Sequence, residues 1–157
     1  MNIILSLRGT SGSGKTTVAR TFLTDYPCKP LLVQGMKKHW GYEIDLSAES
    51  ISAPLFVIGS YENTCGGTDG INTQEEIAER ALAAFTRGHV LLEGLLLSKV
   101  GPRLSPLKCS NLLTLTWLGI LILLWKSAYV VLKSAEPIGE MKDLLILRIQ
   151  SALSNQH

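Results

Sequence analysis
Cysteine is scarce in this chain, with 3 in 157 residues. Cys28, Cys65 and Cys109 are odd in number and widely spaced, and no Cys-x-x-Cys occurs. That excludes a disulfide framework and a zinc knuckle and leaves reduced thiols, the state expected in a cytosolic compartment. Charge is scarce as well. Charged residues make up 18%, against about a quarter in an ordinary globular domain. The net charge of +2 is too small to argue for a nucleic-acid surface or an acidic partner. Aromatics amount to 6%, and they meet basic residues only at Met36 to Trp40, read as a solvated loop. Met1 to Gly12 lacks a basic leader and a small-residue cleavage site, so no signal peptide is expected. The length suits one domain with one core.

What is present alternates. Asn2 to Arg8 is a short apolar run that ends at a glycine cluster, a predicted strand. Lys15 to Thr24 reads as a helix, and Pro27 and Pro30 interrupt the chain. Pro30 to Gly35 and Pro54 to Tyr61 are further strand candidates, while Lys37 to Ser52 shows no clear period. Glu62 to Asn72 is loop-like by its Gly, Asn, Asp and Thr content. Thr73 to Arg87 is the clearest helix. Thr73 and Glu76 form a capping box, and Ile77, Ala81, Ala84 and Phe85 share a face. Gly88 is expected to end it in the left-handed conformation. His89 to Ser98 reads as a strand running into a loop. The alternation predicts an α/β fold, a parallel sheet with flanking helices.

Gly9 to Thr17 matches G-x-x-x-x-G-K-[ST] at every fixed position, between a predicted strand and a predicted helix. Glycines allow backbone torsions that bring N–H groups together on phosphate oxygens at a helix N-terminus. Gly9, Thr10, Ser11, Gly12, Ser13, Gly14, Lys15, Thr16 and Thr17 are therefore the expected nucleotide cradle. Lys15 supplies a charge to the β- and γ-phosphates, and the Thr16 hydroxyl is the expected Mg²⁺ ligand.

Three features bear on the acceptor. Glu93 ends an apolar strand, so its carboxylate belongs at the carboxyl edge of the sheet, where ligands sit. There it can hold Mg²⁺ through water or take a hydroxyl proton. Ser60 to Ile71 also follows a strand. Gly66 and Gly67 permit close approach, Asp69 offers a second carboxylate, and Tyr61 offers a ring for stacking on a base. A plain turn with Asp69 bonding local backbone is equally open. The leucines of Glu93 to Ser98 wall an acceptor pocket or belong to the core.

The runs Arg8 to Thr17, Val57 to Ile77 and Arg87 to Ser98 resemble the P-loop kinases encoded by tailed bacterial viruses, which are similar to nucleoside-monophosphate kinases. One branch phosphorylates 5-hydroxymethyluracil within DNA. The resemblance covers about residues 2–98. It implies a P-loop kinase fold and γ-phosphoryl transfer from ATP with Mg²⁺ to a hydroxyl of a nucleotide or a DNA base. Lys15 would stabilise the transferring group, and Asp69 or Glu93 would orient or deprotonate the acceptor. A kinase acting on free nucleoside or nucleotide, and an inactive nucleotide-binding remnant, remain as alternatives. The host cytoplasm is the expected location.

After Ser98 the resemblance stops. Such kinases continue with a strand reading Leu-Asp-Thr-Pro, a helix and an arginine-bearing lid. Here residues 99–157 hold only Arg103 and Arg148. From Leu104 to Leu132 the only charges are Lys108 and Lys126. Three readings of this tail stand. One is a membrane span through residues 112–132, although Lys126 interrupts it and a bilayer needs about 20 apolar residues. Another is a buried strand or helix that completes the sheet. The third is a shift of reading frame. Ile122 to Tyr129 permits the codons ATA CTC CTT TGG AAG TCT GCG TAT. Moved back one base after a G, these read Asp-Thr-Pro-Leu-Glu-Val-Cys-Val. Residues 1–98 are thus the expected kinase core, and 99–157 an atypical hydrophobic tail, out of frame in the third reading.

Overall fold
The first apolar run becomes the axis of the sheet. In the computed structural model, the residues described are 2–32, 39–63, 66–94, 112–116 (backbone only), 143, 145–147 and 149–150. Strand β1 is Ile4–Arg8, buried except at Arg8. Helix α1 spans Lys15–Asp25, and strands β2 and β3 are Cys28–Leu32 and His39–Ile44. Strand β4 is Leu55–Ile58, helix α2 Gln74–Phe85, strand β5 His89–Glu93 and strand β6 Leu112–Thr116. The sheet order is β2-β3-β4-β5-β1-β6.

The sheet is mixed, which corrects the expectation of an all-parallel one. Strand β1 lies parallel to β5 and to β6, and β4 parallel to β5. Strands β2 and β3, and β3 and β4, are antiparallel. The cause is loop length. Only residues 33–38 separate β2 from β3, and a parallel crossover needs about a dozen or more. The stretch without a clear period thus contains β3, and His39 and Trp40 are strand residues, half-buried, not part of a solvated loop.

Alternation along the central strands makes two apolar faces. Leu5, Leu7, Leu55, Val57 and Leu91 face one side and pack with Val18, Ala19 and Phe22 of α1. Ile4, Phe56, Ile58, Val90 and Leu92 face the other and pack with Ile77, Ala78, Ala81 and Ala84 of α2. Both faces are covered, so the strands read as apolar runs and not as polar–apolar alternation. Phe22 is fully buried, and truncating such a ring to alanine costs about 3–5 kcal/mol.

Helix α2 starts where the sequence predicts. The Thr73 hydroxyl accepts from the Glu76 N–H at 3.1 Å, and Glu75 and Glu76 sit in the first turn, where the helix dipole favours acids. Its end differs from expectation. Gly88 is not among the positive-φ residues. A side chain there would instead collide with the Pro54 carbonyl oxygen. The glycine permits close approach of the helix end to the start of β4.

The tail contributes to this architecture. Strand β6 pairs with β1 in register from Ile4↔Leu112 to Arg8↔Thr116. Helical residues 145–147 and 149 place Leu145, Ile146 and Ile149 in the core on the α1 side. The Gln150 amide donates to the Glu49 carbonyl at 2.9 Å. Of the candidate membrane span, Leu112–Thr116 is this strand, and no helix among the described residues is long and apolar enough to cross a membrane. The rest of that span, the frame-shifted Ile122 to Tyr129, Leu95 to Ser98, Arg103, Cys65 and Cys109 lie outside the described residues.

Candidate functional site
The glycine-rich loop leaves β1 and turns into α1. Gly12 and Gly14 take φ of 77° and 83°, the left-handed torsions the motif predicts. The Ser13 N–H donates to the Thr10 carbonyl at 3.3 Å. Gly14 caps α1 with no side-chain hydrogen bond, and the first turn holds no acid. The first N–H groups of α1 and the positive end of its dipole are thus left for an anion.

Lys15 is buried at 8% exposure. Its ammonium donates to the carbonyls of Gly9 at 3.1 Å and Thr10 at 2.8 Å and to Ser13 Oγ at 3.3 Å. Oxygens already surround the cation, and phosphate oxygens are the natural replacement.

Glu93 stands at the carboxyl end of β5, 3% exposed. Its Oε1 accepts from the Thr16 hydroxyl at 3.1 Å. Its Oε2 is buried without a partner among the described residues. Burial pushes this carboxyl above its ordinary range, opposed by the Thr16 hydrogen bond and the nearby Lys15.

The loop after β4 folds back onto this corner. Ser60 and Gly67 form an isolated bridge, with the Gly67 N–H donating to the Ser60 carbonyl at 3.0 Å. Gly67 has φ of 86°, and a Cβ on it would collide with the Glu93 carboxylate and carbonyl. A Cβ on Gly66 would press on Thr16 and the Tyr61 ring. The paired glycines therefore let the loop lie flush on the end of β5. The buried Thr68 hydroxyl donates to the Glu93 carbonyl at 3.1 Å, which carries Asp69 to the same corner.

Ser11 to Thr17, Arg20, Gly66, Asp69 and Glu93 line one open cleft of about 350 Å³. The sequence-predicted residues Lys15, Thr16, Asp69 and Glu93 thus meet. Gly9 and Thr10 take part through their carbonyls on Lys15. Tyr61 does not fit its predicted role. Its ring is 6% exposed, packed in the core near Tyr42, with centroids 6.3 Å apart. Burial and the neighbouring Glu93 raise its pKa, and it has no open face for a base. The sequence reading missed Arg20 and Thr68. Arg20 is visible in hindsight, four residues after Thr16 on one helix face. Among the described residues no group of three or more His, Cys, Asp or Glu gathers as a metal cluster. A hydroxyl beside a carboxylate, as at Thr16 and Glu93, suits a hard cation that keeps its waters.

These features define a class: a mixed α/β protein whose glycine-rich loop opens a helix beneath an acidic strand end. Within it, the chain is similar to the 5-hmdU DNA kinase of Pseudomonas phage PaMx11, at 39% identity over 97 residues. That alignment covers 60% of this chain and 50% of the relative, so the chain spans about half the length of the curated protein it matches. The resemblance to the phage kinases, partial in extent, is borne out. No family model and no solved structure matches.

Proposed function
We propose that this chain carries the core of a P-loop kinase that transfers the γ-phosphoryl group of ATP, with Mg²⁺, to a hydroxyl, the best candidate being 5-hydroxymethyluracil in DNA. The observation that carries this is the meeting of Lys15, Thr16, Asp69 and Glu93 in one cleft. The relative's name supports the acceptor. Mg²⁺ fits the residues present, since Thr16 and Glu93 are 3.1 Å apart and Glu93 retains an unpartnered oxygen. Mg²⁺ supplies charge neutralisation of the phosphates.

The loop N–H groups from Ser11 to Thr17 bind phosphate oxygens. Lys15 leaves its carbonyl partners and neutralises charge on the transferring group. Thr16 and Glu93 would hold the cation. Asp69 orients the acceptor hydroxyl and receives its proton. A bond forms from that oxygen to the γ-phosphorus, the bond from phosphorus to the bridging oxygen breaks, and ADP leaves. Catalysis of this type is mostly positioning and charge stabilisation.

The test is label transfer from γ-labelled ATP by the purified chain. Incorporation into hydroxymethylated DNA, absent with unmodified DNA, supports the reading. Incorporation into free nucleoside or nucleotide instead supports the second kinase reading. ATP binding without any transfer supports a nucleotide-binding remnant, which the scarcity of arginine after Ser98 favours. We also propose that the part of the chain resembling the phage kinases ends near Ser98, and keep the shifted frame as a reading of the tail. Codons for Ile122 to Tyr129 that are incompatible with the shift end it.

A further inference from the structure
Among the described residues two cations line the cleft, Lys15 and Arg20, and the function above uses only the first. Arg20 is half-buried on α1. Its Nη2 donates to the carbonyls of Tyr61 at 3.4 Å and Asn63 at 2.5 Å. Both acceptors belong to the segment that leads into Gly66 and Asp69. Thr16 and Arg20 are four residues apart, so one face of α1 carries both contacts. Through Thr16 that face touches Glu93, and through Arg20 it grips the loop.

Tyr61 is packed in the core, and the other polar ties on this segment are exposed or join neutral groups. Glu62 faces His39 at 3.6 Å but is 69% exposed, and exposed pairs contribute little. Tyr61 meets Tyr42 ring to ring, and its backbone N–H bonds the Tyr42 hydroxyl, a link between neutral groups. The charge-assisted bonds of Arg20 are the stronger polar link, and a guanidinium is suited to hold two acceptors in a fixed geometry.

We propose that Arg20 is a positioning residue for the acceptor: it locks residues 61–63 to the nucleotide-binding helix and so sets where Asp69 stands relative to Lys15. This rests on the kinase reading for its consequence and not for its geometry. Two measurements on the full chain separate the two. In the transfer assay, Arg20→Ala should raise the acceptor KM on the order of 10-fold and leave the ATP KM within about 2-fold. Arg20→Lys, which keeps the charge but not the planar N–H geometry, should fall between. In hydrogen exchange without ligand, the Gly67 amide should exchange on the order of 10-fold faster in Arg20→Ala, because its bond to Ser60 depends on the held segment.

An unchanged acceptor KM overturns the proposal. So does an ATP KM that rises as much as the acceptor KM, which would make Arg20 a nucleotide contact. If the native chain transfers nothing, the exchange measurement decides alone. Faster exchange at Gly67 with unchanged ATP binding upholds the positioning role, and unchanged exchange sinks it. If Arg20→Ala does not fold, the same readings apply to Arg20→Lys.

Discussion

The two ends of β5 hold two buried titratable residues, His89 and Glu93, four positions apart. Both are almost fully buried, at 0% and 3% exposure, and each has one polar atom without a partner among the described residues. Burial moves both toward their neutral forms. His89 is pushed down to about 4, and Glu93 is pushed up. Yet their surroundings differ. The His89 Nδ1 accepts the Ile3 N–H at 3.3 Å and anchors β1 to β5. Glu93 meets a hydroxyl, lies near an ammonium and opens onto a cleft. A desolvated titratable group is thus no signature of a site by itself. Opposite charge, a hydroxyl donor and open space converging on it are.

Four experiments break or sharpen this contrast, the largest effect first. Lys15→Ala should cut transfer by about 100- to 1000-fold, the scale of losing one preorganised charge donor. Its melting temperature should change little, since the ammonium bonds only its own loop. Glu93→Gln should lower transfer by roughly 100-fold and raise the Mg²⁺ concentration needed for half-maximal rate. It should also melt higher than the native chain at neutral pH. Because burial raises the Glu93 pKa, that residue's contribution is fully present below its ordinary value of 4.5 and is lost as pH rises through the folded value. Gly67→Ala should destabilise by about 1–3 kcal/mol, through its positive φ and the collision with Glu93, readable by urea unfolding. If it unfolds like the native chain, the loop does not lie where the structure places it.

The smallest effect on transfer belongs to His89. Its folded pKa is about 4 against 6.5. Its contribution is therefore present above 6.5 and lost as pH falls toward 4, by at most about 3 kcal/mol. His89→Asn should lose this acid limb in unfolding curves while transfer rates hold. A transfer defect there would erase the distinction between the two ends.

Much of the site was legible because its signals are local. Gly9 to Thr16 shows its glycine-rich turn between strand and helix by spacing alone, and the Glu93 position follows from an apolar run ending in an acid. The capping of α2 by Thr73 is equally local. Strand β3 was not legible, because His39 to Ile44 mixes polar and apolar residues, with both faces partly covered by neighbouring elements. Gly88 misled because helix-ending glycines usually mark a left-handed turn, whereas here the constraint is a carbonyl of a distant residue, Pro54. Tyr61 and Arg20 depend on how loop and helix dock, which no spacing encodes. The contribution of Leu112–Thr116 was readable only as one of three alternatives, since a short apolar run suits strand and helix alike.

The strand order has a consequence for how the molecule comes apart. Strand β1 has neighbours on both sides, β5 and β6, so its amides are shielded by two ladders. Strand β2 is an outer strand, and its residues are largely exposed. Local opening should therefore begin at the β2–β3 hairpin, while Leu5 and Leu7 exchange only when the whole domain unfolds. The glycine-rich loop is hung from the last part of the sheet to yield, and fraying at the outer hairpin leaves it in place.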